Sequence, residues 1–197
     1  MKSYIIFFSY LIAIIIGCHS MFNDFCLLKT WLVIQILTGI YEFTIVRFHK
    51  YMCNKSDIKD KSWWSKNYKF TDSLKPEYWV DAWREYAKED PRYCTSKDVI
   101  WFEILNALTI IPNIIILYLF TQLQTRKIKQ IIGILLIISG MVPLYGTTLY
   151  YITYYNYAKD GHKTPSKLRQ ILYLLMDAPW IILPLYMVIF GAWYIIE

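Results

Sequence analysis

Three carboxylates, Glu42, Glu103 and Asp177, lie within long apolar runs that contain no lysine or arginine to pair with them. An ionisable group near the centre of a bilayer costs from roughly 3 to more than ten kcal/mol unless it faces a cavity or a partner. Each acid belongs to a polar stripe at helical spacing. Gln35, Thr38, Glu42 and His49 share one face, Glu103, Asn106 and Asn113 a second, and Asp177, Trp180 and Pro184 a third. Faces of this kind turn away from lipid tails, so the three stripes are expected to converge on an internal cavity. Acids held away from water without a cation favour the proton-carrying form, as a proton donor requires. Interhelical hydrogen bonding, worth about 0.6 kcal/mol per pair, is the competing role, and for Asn106 and Asn113 both roles stay open.

The elements that must position these groups are membrane spans. The chain has 197 residues, of which 56% are hydrophobic, 18% aromatic and 18% charged, and its mean hydropathy is +0.30. A soluble domain carries about 25% charged residues. Here the charges gather between apolar runs. A helix needs about 20 mainly apolar residues to cross the hydrocarbon. Five runs approach that length, at residues 4–18, 30–46, 99–123, 131–155 and 171–196. The expected fold is therefore an all-α integral membrane protein, a bundle of about five transmembrane helices with an internal ligand cavity, formed by 1–197 as a single domain. The first run also fits a cleaved signal peptide, with Lys2 before it and small residues near Gly17. Residues 51–97 form a polar segment whose Trp63, Trp64, Trp79 and Trp83 suit the membrane interface. Within it, Pro76 to Lys88 reads as an amphipathic helix with proline in its first turn.

The net charge of +6 makes no basic stripe on a nucleic-acid-binding fold, and Lys and Arg at membrane edges account for it. The four cysteines form no Cys-x-x-Cys pair, so no metal is expected. Cys53 and Cys94 bracket the polar segment and would bridge if it faces an oxidising lumen. Asn54-Lys55-Ser56 would be a glycosylation sequon under the same condition. Bases near Arg47 and from Lys159 to Arg169 instead favour a cytosolic position for that end, with the amino terminus beside it. Pro112, Pro143, Pro179 and Pro184 interrupt apolar runs and bend helices.

Several stretches resemble the emopamil-binding protein family, the sterol delta-8,delta-7 isomerases of the wider EXPERA group. They are Trp83-Arg84-Glu85-Tyr86-Ala87-Lys88-Glu89-Asp90-Pro91-Arg92-Tyr93, then Glu103 with Pro112. Leu144-Tyr145-Gly146 with Leu149-Tyr150-Tyr151 follows, and then Asp177-Ala178-Pro179-Trp180 with Pro184. The resemblance spans about residues 31–189. It implies a five-helix protein of the endoplasmic reticulum membrane whose cavity holds a sterol or an amphipathic amine, without a cofactor. It gives Glu42 and Glu103 the place of the family's catalytic glutamates and Trp180 that of a cation-stabilising tryptophan. Asp177 joins this catalytic set, and Thr38, Asn106, Tyr145, Thr147 and Tyr151 are the expected ligand-binding residues. A homodimer is left open.

The chemistry suits these residues on independent grounds. Moving a double bond needs an acid, a base and a polarisable or negative group near the cation, with water excluded. The chain departs from the isomerase pattern in three places. Thr38 stands where the family has histidine, Asp177 where it has asparagine, and Thr147 where it has aspartate. A threonine does not titrate near neutral pH as a histidine does. Three readings follow: a sterol isomerase; a non-catalytic sterol- or amine-binding protein like the sigma-2 receptor or the emopamil-binding-like protein; and a membrane terpenoid cyclase.

Overall fold

In the hydrocarbon, backbone groups must bond within their own segment, so apolar runs of this length become helices. The computed structural model describes residues 1–21, 25–53, 63–159, 171, 174–175 and 177–197. Its helices, in chain order, are α1 (Ser3–Met21), α2 (Cys26–Met52), α3 (Pro76–Glu89), α4 (Arg92–Thr95), α5 (Lys97–Leu108), α6 (Ile110–Leu119), α7 (Arg126–Lys159) and α8 (Pro179–Ile196). The sequon and most of the expected loop from Lys159 to Arg169 lie outside the described residues.

Among the described residues, four segments are long and apolar enough to cross a membrane: α2, α5 with α6 (Lys97–Leu119), α7 and α8. The first of the five expected spans is α1, whose apolar stretch, Phe8–His19, is shorter. The helices also outrun the apolar runs. α2 continues through Arg47, His49 and Lys50 to Met52, and α7 reaches from Arg126 to Lys159. Polar side chains at the membrane edge do not interrupt backbone bonding, so hydropathy marks the hydrocarbon and misses the helix ends. The third span breaks at Thr109. Pro112 has no N–H to offer the carbonyl of Leu108, and the Thr109 hydroxyl instead bonds the Asn106 carbonyl at 2.6 Å.

α7 and α8 form the closest helix pair. A Cβ at Gly133 would lie 2.6 Å from the Gly191 carbonyl oxygen, and one at Gly140 would lie 2.7 Å from that of Pro184. Small residues bring the backbones together where lipid supplies no hydrophobic drive. Leu28, Trp31 and Leu32 of α2 pack with Ile116, Ile132, Leu136 and Met187 into the main core. Inside the bundle, Asn113 Nδ2 donates to Gln35 Oε1 at 3.1 Å, and the Ser139 hydroxyl donates to Asn113 Oδ1. Asn113 is therefore a brace joining α2, α6 and α7.

The polar segment caps the bundle end formed by the carboxyl end of α2. Ile45 and Met52 pack with Val80 and Ala87 of α3 and with Tyr93 and Val99. α1 docks its first turn onto the same cap. The Met1 amine bonds the Tyr68 carbonyl at 2.8 Å, the Tyr78 hydroxyl donates to the Ser3 carbonyl at 3.0 Å, and Ile6 is buried with Trp63 and Tyr78. The amino terminus thus lies beside the Arg47 end of α2. Cys53 and Cys94 are joined by a disulfide across 41 residues of chain. A loop of that length removes about 4 kcal/mol of denatured-state entropy in the chain-entropy picture.

The glycine contacts predict a graded response. Gly191→Val forces α8 off α7 and should lower stability in micelles by about 1–3 kcal/mol, the range for overpacking. Gly17→Ala, whose added Cβ meets nothing within 4 Å, should change it by less than about 0.5 kcal/mol. Equal effects in a denaturant titration would contradict the packing described.

Candidate functional site

Glu42 on α2 is 3% exposed and Glu103 on α5 is 7% exposed. Their carboxyl groups lie within hydrogen-bonding reach of each other. Two carboxylates this close repel, so a bond between them requires one of the pair to carry the proton. The Asn106 side chain stands beside Glu42 in the wall of one cavity, and the Tyr93 hydroxyl donates to Glu103 Oε1 at 2.8 Å. Each acid thus has a further polar neighbour.

Glu42 opens onto a cavity of about 10 Å³, lined also by Gln35, Thr38, Asn106, Thr109, Pro143 and Trp180. That volume admits about one water molecule. Trp180 closes one wall and meets Trp31 edge to face, with centroids 5.2 Å apart. The break at Thr109 and the proline at 143 both border this space, so kinked backbone shapes it. The Glu42 carboxyl, the hydroxyls of Thr38 and Thr109 and the Trp180 indole line one small cavity, an arrangement in which a carboxyl can hand a proton to a bound group beside a polarisable ring.

The expected site residues do not all meet. Thr38, Glu42, Asn106 and Trp180 line the cavity, and Glu103 stands behind Glu42. Asp177 is set apart. It accepts from the Tyr151 hydroxyl at 2.6 Å and acts on Glu103 through its charge. Asp177, expected to line the shared cavity, is therefore a neighbour of the acid pair. Thr147 is buried on α7, next to Gly146, whose backbone lies against Asn106. Tyr145 is 59% exposed. Successive helical residues turn by about 100°, so with Gly146 and Thr147 inward Tyr145 points out of the bundle. His49, on the α2 stripe, bonds the Tyr93 carbonyl at 2.8 Å at the membrane edge.

Tyr93 is the site residue that sequence reasoning missed. It lies in α4, a single turn of four residues, too short for periodicity to say anything about facing, although it closes the run Trp83 to Tyr93 that carries the resemblance. Its position depends on the buried pair beside it. Arg92 Nη2 donates to Asp90 Oδ2 at 2.7 Å, and Nη1 reaches the Thr153 hydroxyl on α7 at 2.8 Å. The Tyr150 hydroxyl donates to Asp90 at 2.7 Å, and the guanidinium stacks on the rings of Tyr150 and Tyr154. Among the described residues, no three His, Cys, Asp or Glu side chains converge as metal ligands.

Removing one member of a buried pair strands the other. Arg92→Met should therefore lower unfolding free energy by about 3–5 kcal/mol, read from chemical denaturation in micelles. A loss below about 1 kcal/mol would mean that Asp90 is adequately solvated without it.

Comparison with known proteins adds one match. The family model of EXPERA (EXPanded EBP superfamily) fits residues 78–190, more than half of the chain. The matched range includes Tyr93, Glu103, Asn106, Asp177 and Trp180; Thr38 and Glu42 precede it. No curated protein and no solved structure matches the chain.

Proposed function

This chain belongs to the EXPERA family, whose members include sterol isomerases and related binding proteins, and from that premise we propose that it shifts a sterol double bond from delta-8 to delta-7. The observation that carries the reading is the buried pair Glu42–Glu103, set within hydrogen-bonding reach of each other, beside a cavity that Glu42 and Trp180 line.

In this reading the pair holds the one proton the reaction needs. Glu42, the member facing the cavity, delivers it to the C9 end of the double bond, leaving a carbocation at C8. The Trp180 indole lines the same cavity, and in this reading its ring stabilises the cation by roughly 2 kcal/mol or more once water is excluded. The ionised pair then takes a proton from C7, and the new double bond closes between C7 and C8. One proton is given and one returned, so no cofactor is consumed. Tyr93 keeps Glu103 aimed at Glu42, and the Asp177 charge, screened by Tyr151, adds negative potential. A sterol is far larger than the cavity as it stands, so binding must part the helices bordering Trp180 and Pro143. Membrane integration follows from the helices, and the reading places the protein in the endoplasmic reticulum membrane.

A second reading rests on Thr38. It lines the cavity one turn from Glu42, and threonine does not titrate near neutral pH as a histidine does. A protonated amphipathic amine would then be the resting ligand, held by the acids against Trp180.

Membranes containing the protein should convert delta-8 sterol to delta-7 sterol, and Glu103→Gln should be at least about a hundredfold slower. A tertiary amine should compete, and Trp180→Ala should weaken it by about tenfold or more. A folded, amine-binding protein that is inert both as wild type and as Thr38→His would remove the isomerase reading and leave the receptor-like one.

A further inference from the structure

The turn that carries Tyr93 is held from two directions. On one side Arg92 ties it to α7 through Thr153 and Tyr150. On the other it is fastened to the end of α2, the helix that bears Glu42. There the Cys53–Cys94 bridge sets the two Cα atoms 5.4 Å apart, and His49 bonds the Tyr93 carbonyl. Cys94 directly follows Tyr93, so the bridge fixes the backbone next to the phenol that donates to Glu103. α4 is a single turn of four residues, too short to hold its own geometry. With the bridge open, the His49 bond and the apolar packing of Tyr93 against Ile45 and Met52 are what still couple this turn to α2.

The geometry points to the Cys53–Cys94 disulfide as a redox-controlled positioning element of the acid pair. Closed, it holds the Tyr93 hydroxyl on Glu103 and so keeps Glu103 in register with Glu42. Opened, it releases the turn and loosens the pair. Opening is a two-electron exchange with a dithiol: the bridge becomes two thiols, one at Cys53 and one at Cys94, and the dithiol becomes its cyclic disulfide. The remaining cysteines described, Cys18 and Cys26, are free thiols. Cys26 starts α2, about 40 Å of helix away from Cys53. A closed bridge persists on the oxidising side of a membrane, the opposite of the side that the bases near Arg47 favour, and the acid site is complete only where the bridge is closed. This inference rests on the proposed proton-transfer role of Glu42 and Glu103, and its test is built to fail separately from it.

The test is a cycle on the purified full-length chain in lipid nanodiscs. Wild type, Tyr93→Phe and the pair Cys53→Ser with Cys94→Ser are each measured with and without a dithiol, and bridge opening is verified by thiol labelling at both cysteines. Delta-8 sterol turnover by wild type should fall about tenfold on reduction, the scale of one hydrogen bond to a charged group. The double serine variant should be equally slow whether or not dithiol is present. Tyr93→Phe should begin about tenfold down and lose nothing more on reduction. Cys18→Ala with Cys26→Ala should respond as wild type does.

An unchanged wild-type rate with the bridge open would overturn the proposal. So would a further tenfold loss in reduced Tyr93→Phe, because the bridge would then act elsewhere. A drop in the number of tertiary-amine sites at saturation would also overturn it, by showing that the bridge holds the whole fold. If wild type turns over no sterol, the isomerase reading fails alone, and the same cycle on tertiary-amine affinity decides. Loss of affinity on reduction that vanishes in Tyr93→Phe supports the proposal, and no such coupling overturns it.

Discussion

A pair of buried carboxyl groups set within hydrogen-bonding reach of each other inside a bilayer-spanning bundle is the constraint from which the rest of this structure follows. Each alone would cost several kcal/mol to bury. Sharing a proton removes one of the two charges, and the remaining one needs fixed dipoles in place of water. Tyr93 supplies one to Glu103, and the Asn106 amide stands beside Glu42. Proton sharing requires close registry of α2 with α5, so the bundle must hold those two helices firmly.

It does so at two levels. Deep in the bundle, the Gln35–Asn113–Ser139 chain ties α2 to α6 and α7, while glycine contacts draw α8 onto α7 and bring Trp180 to the cavity wall. At the capped end, the disulfide, His49 and the buried Arg92–Asp90 pair fasten the Tyr93 turn to α2 and α7. The Arg92–Asp90 pair is costly to desolvate and yields little net stability against an apolar equivalent. Its use is geometric: a fork of fixed N–H groups sets the turn's orientation, which apolar packing would leave free to slide. Bends at Thr109 and Pro143 give the same region the slack that a bulky ligand requires.

Much of the fold was legible in the sequence because a bilayer admits few solutions. Charge-free runs of sufficient length have to be helices, and the amphipathic stretch after Pro76 had only one apolar face to bury. The stripes identified the acids for the same reason, since Glu42 and Glu103 stand in runs that offer no basic partner. Facing was legible wherever a helix continues past the residue concerned. It failed at Tyr145, assigned from a motif whose three consecutive residues turn through about 200° of helix. It failed again at Asp177, which stands just before α8 begins and meets Tyr151 in place of the cavity. Tyr93 was illegible for a different reason. A hydrogen bond from so short a turn depends on where long-range anchors place that turn. Two of those anchors, Cys53 and His49, lie 40 and 44 residues away from Tyr93 in the chain.

The shared proton is the claim that everything else assumes, and it can be observed without substrate. Infrared spectroscopy of the protein in lipid at neutral pH should show a protonated carboxyl C=O band that shifts on transfer to deuterated water. Because the proton belongs to the pair, Glu42→Gln and Glu103→Gln should each displace that same band, while Asp177→Asn should leave it in place apart from a small electrostatic shift. A band absent from wild type, or one moved by only one of the two glutamate substitutions, would contradict the account.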